Sequence, residues 1–599
     1  MPSEAGPERE ARGHPDRRRW VAAAVSSLAL AIVLTWPWAI ELWRGRVFGD
    51  AGQFTWNAWW VAHQVLSLGN PWWTDYQYAP AGAFLTFHTL DTLLFAVLAP
   101  LTAVIGPVPV YGLTIIGLHA AAALLMWRLA LAMGMGDVGA AAAGLLWASS
   151  PIVVFKATAH VHQLVLIAAL PAAFLLWRRL VRTGRIRDGI LLGAFVGVGL
   201  ETDLLVAAYL LLALGAAEAY VLFGSGPTSL RRRAPALLAA AGTFLVVGLP
   251  LWAMTIRAES SGHYAATRGD RIGSARAFNA DVAQFLLPSP FSRLLGDAYR
   301  WAADELGSLS DFSVDTPVSL GYATLALALV GLVATRGSRR TRWLAASVLA
   351  CAVLSLGPTL KVAGHVYRPL PVSREEVMSA ILPGTWVTAM PVLSDLRIPP
   401  RFMLLGAFAA VLLAGLGART AVRRHSGLGV AAVACLCAAA VAEGAVTMRG
   451  DADPEAKRIA RLIASDPRDG IVVDLPLAWA DGFSSIGYAP VVSRPLFQQT
   501  IHGKPIASGY ISRIDRARYD IMLQHPLYRA LLLRQVPEGS APSVPASSAA
   551  AARADAERLG ARWVVVWPEA DRGVLPFLRR IGYRPVAAGR NGVLLYALE

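Results

Sequence analysis

The residues with the most chemical potential lie just beyond the first apolar stretch. Segment 44–91, RGRVFGDAGQFTWNAWWVAHQVLSLGNPWWTDYQYAPAGAFLTFHTLD, holds Asp50, Asp75, His88 and Asp91 beside Trp56, Trp59, Trp60, Trp72 and Trp73. Ionisable groups beside a bilayer are costly and tend to mark function. Asp50, in FGDAGQ, has the chemistry of a general base for an acceptor hydroxyl, or of one ligand to a divalent cation. It also suits the N-cap of a helix over 51–66, with Gln53 completing a capping-box pattern. Both readings are open at this point. Trp56, Trp59, Trp60 and His63 follow at i, i+3, i+4 and i+7. That spacing makes one face of an amphipathic helix, read here as an aromatic anchor in the membrane interface.

Three other groups carry chemistry. Lys156, His160 and His162 sit in SSPIVVFKATAHVHQ. Histidines at i and i+2 share a side only where the chain is extended, and two ligands do not make a metal site. Glu201 and Asp203, in GLETDLL, interrupt an apolar run, either as a plain turn or as groups facing the same cavity as Asp50. Arg397 and Arg401, in SDLRIPPRFM, offer planar, permanently charged forks suited to a lipid-linked phosphate, and equally the reach to snorkel to headgroups. Lys361 and Arg368 are weaker candidates of the same kind.

The elements that must hold these groups are membrane spans. The chain has 599 residues, 55% hydrophobic and 16% charged, with mean hydropathy +0.48. Soluble proteins carry roughly 25% charged residues. The net charge of +15 does not signal nucleic acid, because the arginines cluster in short runs between apolar spans. Cys351, Cys435 and Cys437 lie inside apolar stretches and imply neither disulfide nor zinc framework. Apolar stretches fall at 20–43, 108–132, 137–155, 163–181, 188–203, 204–223, 234–256, 317–335, 342–357, 399–417 and 427–447. A twelfth piece, 92–105, is short and interrupted by Pro100. The arginine runs at 178–185, 231–233, 336–342 and 419–424 all fall on the cytoplasmic side only if 92–105 does not cross. We therefore expect a cytoplasmic N-terminus (1–19), about eleven transmembrane helices within 20–447, and a first external loop over 44–107 with an interfacial or re-entrant helix. Residues 448–599 are expected to form a small extracytoplasmic α/β domain. IVVDLPL, RWVVVWP and GVLLYALE read as strands, and DPEAKRIARLIAS and GVLPFLRRIGY as helices.

This layout resembles the GT-C superfamily of membrane glycosyltransferases, which includes protein mannosyltransferases, aminoarabinose transferases and arabinosyltransferases. The likeness rests on Gly49-Asp50 after the first span, on the long external loop with YQYAPAGAFLTFHTLDTLL, and on two spans joined by MGMGD and ending in ASSPIVVFKATAHVH. It covers roughly residues 20–260. It implies a polyprenyl-phosphate sugar donor, a glycan, lipid or protein acceptor on the external face, and inversion at the anomeric carbon. The family's catalytic carboxylate maps onto Asp50. His88, His160 and His162 are then expected near the chemistry, Arg397, Arg401 and Lys156 at the donor phosphate, and Asp75, Glu201 and Asp203 in acceptor or secondary roles. The second external loop offers histidines where many members place an acid, so a divalent cation lacks support and no cofactor is expected. The competing readings are a transporter of lipid-linked intermediates and a non-catalytic assembly protein. A transporter should show paired halves with matching broken helices, and the sequence has no such symmetry.

Overall fold

The computed structural model describes residues 17–37, 50–262, 264, 268–305, 317–367, 382–387, 390, 393, 396–446, 454–488, 493–535 and 545–599. Residues 44–49 of the first loop and Arg368 lie outside them. Ten helices fill most of the first 260 residues: α1 (Arg17–Thr35), α2 (Ala51–Leu66), α3 (Thr92–Ile105), α4 (Pro107–Ala132), α5 (Gly136–Ser149), α6 (Pro151–Ala159), α7 (Val161–Thr183), α8 (Ile186–Thr202), α9 (Leu204–Val247) and α10 (Leu249–Ser260). Then come α11 (Arg268–Ala277), α12 (Tyr322–Ala334), α13 (Arg339–Ser355) and α14 (Phe402–Gly444).

Among the described residues, five helices are long and apolar enough to cross a membrane: α1, α4, α7, Leu204–Gly224 within α9, and Pro399–Gly444. The pair Thr228–Val247 and Leu249–Ser260, bent by 66°, makes a sixth. The chain is a multi-pass helical membrane protein. Helices lie at all eleven predicted stretches, but several are shorter than a crossing needs, α3 among them. Pro399–Gly444 has 46 residues. As one rod it would run about 69 Å, over twice the ~30 Å of hydrocarbon. It breaks instead at Ser426 (φ 37°) and folds back. Gly415, before the break, meets Gly139 at the start of α5, and Gly444, after it, meets Ser149 at the end of α5.

Small residues let these helices touch. On α8, Gly189, Gly193 and Gly197 recur every fourth residue against α9. A Cβ on Gly189 would stand 1.9 Å from the Ala236 oxygen, and one on Gly193 2.1 Å from that of Ala240. Lipid tails offer no hydrophobic drive for association, so close backbone packing of this kind supplies it.

The C-terminal residues build two sheets. β1 (Ile471–Leu475), β2 (Ala478–Asp481), β3 (Ser485–Gly487), β4 (Gly509–Ile511), β5 (Ala561–Val566), β6 (Tyr583–Ala588) and β7 (Leu594–Leu598) are its strands. One sheet has the order β6-β7-β5-β1, with β1 and β5 parallel; the other has the order β3-β2-β4. The three predicted strands are β1, β5 and β7, and DPEAKRIARLIAS holds α15 (Pro454–Ser465). The strong β-branched runs gave these away; β2, β3 and β4 are short and carried no such signal.

Segment 493–513 packs on the first loop. Its helix, α16 (Ser493–His502), places Gln499 so that its carbonyl accepts from Trp56 Nε1 (2.6 Å) while its amide donates to the Tyr76 carbonyl (2.7 Å). Ile506 N–H donates to Tyr76 O, and Tyr78 N–H to Ser508 O. The tryptophan face of α2 therefore points into protein. Trp56 and Trp60 are fully buried and stacked 5.6 Å apart. The membrane-anchor reading of this face is corrected: amphipathic spacing shows that a face is covered, not by what.

Candidate functional site

Asp50 opens α2, yet its side chain makes no capping hydrogen bond. It pairs with His160 instead, Oδ2 to Nε2 at 3.1 Å. Gln53, assigned to the capping box, turns to Thr89 (3.4 Å). The local cap reading gives way because a stronger partner comes from another loop. His160 owes its position to a break in the backbone. It is the one extended residue (φ −137°, ψ 85°) between α6 and α7. That break brings both histidines to one side, as the i, i+2 rule requires. Their rings lie 5.5 Å apart, and Phe54 of α2 meets His160 at 6.1 Å and His162 at 5.4 Å. The Asp50 side chain is 45% exposed and that of His160 5%. A carboxylate held by a buried imidazole keeps one oxygen for an incoming group.

A tight seam, too closed to hold a water molecule, runs beside this pair between α7, α9 and α14. Its polar wall is His162, Gln163, Tyr209 and Arg401, and its apolar wall is Leu166, Leu205, Val206 and Leu404. Asp203 caps α9, its carboxylate accepting from Leu205 N–H at 2.7 Å. Burial pushes its acid up to about 6, while nearby backbone donors and the Arg401 guanidinium pull it down.

Asp91 is the group that the sequence reading noticed but gave no role. It precedes α3 in a left-handed conformation (φ 53°, ψ 42°) and is completely buried. Neither carboxyl oxygen has a hydrogen-bond partner. Burial, then the charge of Asp203, raises its acid well above the usual range. Tyr111 lies within electrostatic reach of both Asp91 and Asp50. Asp50, Asp91, Asp203 and Arg401 thus form one connected electrostatic neighbourhood. The signal for Asp91 in the sequence was an acid directly before an apolar helix, which also describes an ordinary cap.

The other expected residues sit elsewhere. His88 is buried, with Nδ1 accepting from Ser512 N–H (3.2 Å) and Nε2 donating to Asn57 Oδ1 (3.1 Å). Burial lowers its pKa to about 3. It joins the loop to the C-terminal residues rather than facing the seam. Arg397 donates to Ser274 Oγ (2.7 Å) and to the Gly482 carbonyl (2.6 Å), and stacks over Phe483 at 4.3 Å. Lys156 is buried, 5.6 Å from the Phe155 ring centre. Glu201 accepts from Leu251 N–H (3.3 Å), and Asp75 is exposed on the loop. Among the described residues, no three His, Cys, Asp or Glu side chains converge as a metal cradle.

Comparison with solved structures places this architecture. The arabinofuranosyltransferase AftD from Mycobacteria superimposes with a TM-score of 0.50 at 15% identity, over 98% of this chain and 40% of that one. The fold is that of the GT-C membrane glycosyltransferases. ArnT from Cupriavidus metallidurans bound to undecaprenyl phosphate matches over 97% of this chain and 98% of that one (12% identity, TM-score 0.48). The Archaeoglobus fulgidus oligosaccharyltransferase matches over 98% and 75% (11% identity, TM-score 0.46). No family model and no curated protein matches the sequence. The chain spans 40% of the length of AftD, and at these identities the likeness extends to the GT-C fold alone.

Proposed function

We propose that this GT-C protein transfers a sugar from a polyprenyl-phosphate donor to a glycan, lipid or protein acceptor on the external membrane face, with inversion. The observation that carries the reading is the Asp50–His160 pair, set beside a seam with Arg401 on its polar wall and leucines on the other. Arg401 suits the phosphate of a lipid-linked donor. Asp50 takes the proton from the acceptor hydroxyl as that oxygen attacks the anomeric carbon, and the lipid phosphate leaves from the opposite side of the sugar. His160 holds the carboxylate in place, and His162 lies beside it. The glycosyltransferase activity of AftD is the background to this reading, and no step needs a metal.

In the same reading the N-terminus is cytoplasmic, about eleven helices span, α3 stays at the interface, and 448–599 form an external α/β domain. Purified protein, given a panel of polyprenyl-phosphate sugars, should transfer one of them. Asp50→Asn should lower turnover by about 10²–10⁴-fold, the usual contribution of a general base. Full activity in Asp50→Asn would remove the assigned base. A reporter fused at residue 106 should report the external side.

A further inference from the structure

At the end of the helical bundle opposite Asp50, two arginines meet the turn between α4 and α5, and a third lies near one of them. Arg178, near the end of α7, donates to the Ala132 carbonyl (2.5 Å). Arg340, at the start of α13, donates to the Met133 carbonyl (3.0 Å). Arg178 and Arg419 both lie close enough for their charges to act against that of Arg340. Arg178 follows His160 by 18 residues of sequence. At ~1.5 Å per residue along α7, the cluster is roughly 27 Å from the sugar-transfer site.

The positive-inside bias accounts for solvated arginines such as Arg336, Arg423 and Arg424, which are exposed. It does not account for Arg340. The Nε and one terminal nitrogen of Arg340 are buried and meet no acceptor. Cationic donors left in that state are costly, and in native structures they point to an unseen partner. Among the described residues, the acids at this end are engaged elsewhere. Glu218 takes Arg233 and Trp177, Asp188 takes Arg179 and Thr183, and Asp137 takes Arg19. The neutral carbonyls of Ala132 and Met133 position the guanidinium groups but do not balance them.

The surroundings are those of a lipid surface. Leu329 and Val333 of α12 are exposed, and the Thr335–Thr341 hydroxyl contact (2.7 Å) brings the end of α12 against the start of α13. Trp343 meets Tyr220 (5.8 Å) and the exposed Phe223 (6.3 Å) with tilted rings, an aromatic group of the kind found at membrane interfaces. We propose that Arg178, Arg340 and Arg419 bind the phosphate of an anionic phospholipid headgroup. Planar forks from Arg178 and Arg340, with the charge of Arg419 beside them, match a tetrahedral oxyanion, and such a ligand ties α7, α13 and α14 together.

The test uses the full chain in detergent, with native mass spectrometry and thermal unfolding. Phosphatidylglycerol, phosphatidylcholine and inorganic phosphate are added separately. One phosphatidylglycerol should be retained, and should raise the unfolding temperature, at concentrations where phosphatidylcholine does neither. Arg340→Gln and Arg178→Gln should each weaken retention at least tenfold, whereas Arg336→Gln should leave it unchanged. If inorganic phosphate alone reproduces the stabilisation and displaces the lipid, the oxyanion site holds and the lipid source is wrong. Equal retention of both lipids by the unaltered protein overturns the proposal, whether or not the variants fold. So does undiminished retention in Arg340→Gln. Because the readout is binding, its failure leaves the glycosyltransferase reading untouched.

Discussion

Replacing His88 with asparagine should remove a specific part of the acid sensitivity of the fold. His88 is buried as the neutral ring, with a pKa of about 3 against 6.5 for the ordinary side chain. As pH falls through 6.5 the unfolded chain takes up a proton that the native state refuses. The stability it contributes is therefore complete above 6.5 and is lost on acidification. At pH 5 the unfolded group is ~1.5 pH units past its midpoint, which costs about 2 kcal/mol at 1.36 kcal/mol per unit. Any native value below about 4 gives the same figure, because the native ring stays neutral at pH 5. His502 is buried to a similar value, about 3, and adds a comparable loss. Asp474 and Asp91 oppose it. Burial raises Asp474 to about 7 and Asp91 well above its usual range, so both favour the native state more as pH falls. The net pH profile of the unaltered protein is thus not diagnostic, and the difference between it and His88→Asn is. Asparagine can accept from Ser512 N–H but cannot titrate. Limited proteolysis follows the open population when closing outpaces cleavage. Between pH 7 and 5, with rates normalised to an unfolded substrate, cleavage of the unaltered protein should rise about 30-fold more than that of His88→Asn. Identical pH dependence in the two proteins would refute the buried neutral histidine.

Other substitutions probe the same arrangement. Trp56→Phe keeps the buried ring area but leaves the Gln499 carbonyl without the indole donor that meets it at 2.6 Å. It should lower stability by about 1–3 kcal/mol, read by chemical unfolding of the C-terminal residues. Asp91→Asn should fold normally and unfold within ~0.5 kcal/mol of the unaltered protein, since asparagine tolerates the left-handed backbone and matches a neutral acid. If transfer activity falls sharply in that well-folded variant, Asp91 handles a proton; if stability collapses, the buried acid is charged. Gly189→Ala should cut the yield of folded protein, because the new methyl meets the Ala236 carbonyl, and separating α8 from α9 costs about 1–3 kcal/mol. Thermal unfolding in detergent would check it.

What the sequence could show depended on the range of each interaction. The apolar helices and the strands β1, β5 and β7 were legible because each is announced by a contiguous apolar run, and burial of such runs does not depend on their neighbours. The Asp50–His160 pair was half legible: each residue stood out as an ionisable group at a membrane boundary, but their meeting spans 110 residues and depends on a one-residue break in the helix at His160. His88 and Arg397 looked like site residues for the same reason and fell elsewhere, because Ser512 and Gly482 occupy them from the far end of the chain. The same hidden partner explains the tryptophans of α2. A bilayer and a packed protein surface both select aromatic residues at helical spacing, so composition could not choose between them. Gln499, donating and accepting between Trp56 and Tyr76, makes the choice, and it ties the C-terminal residues to the first loop. A chain folded this way cannot lose its C-terminal region and keep the first loop in place, because the loop's buried tryptophans would then face water.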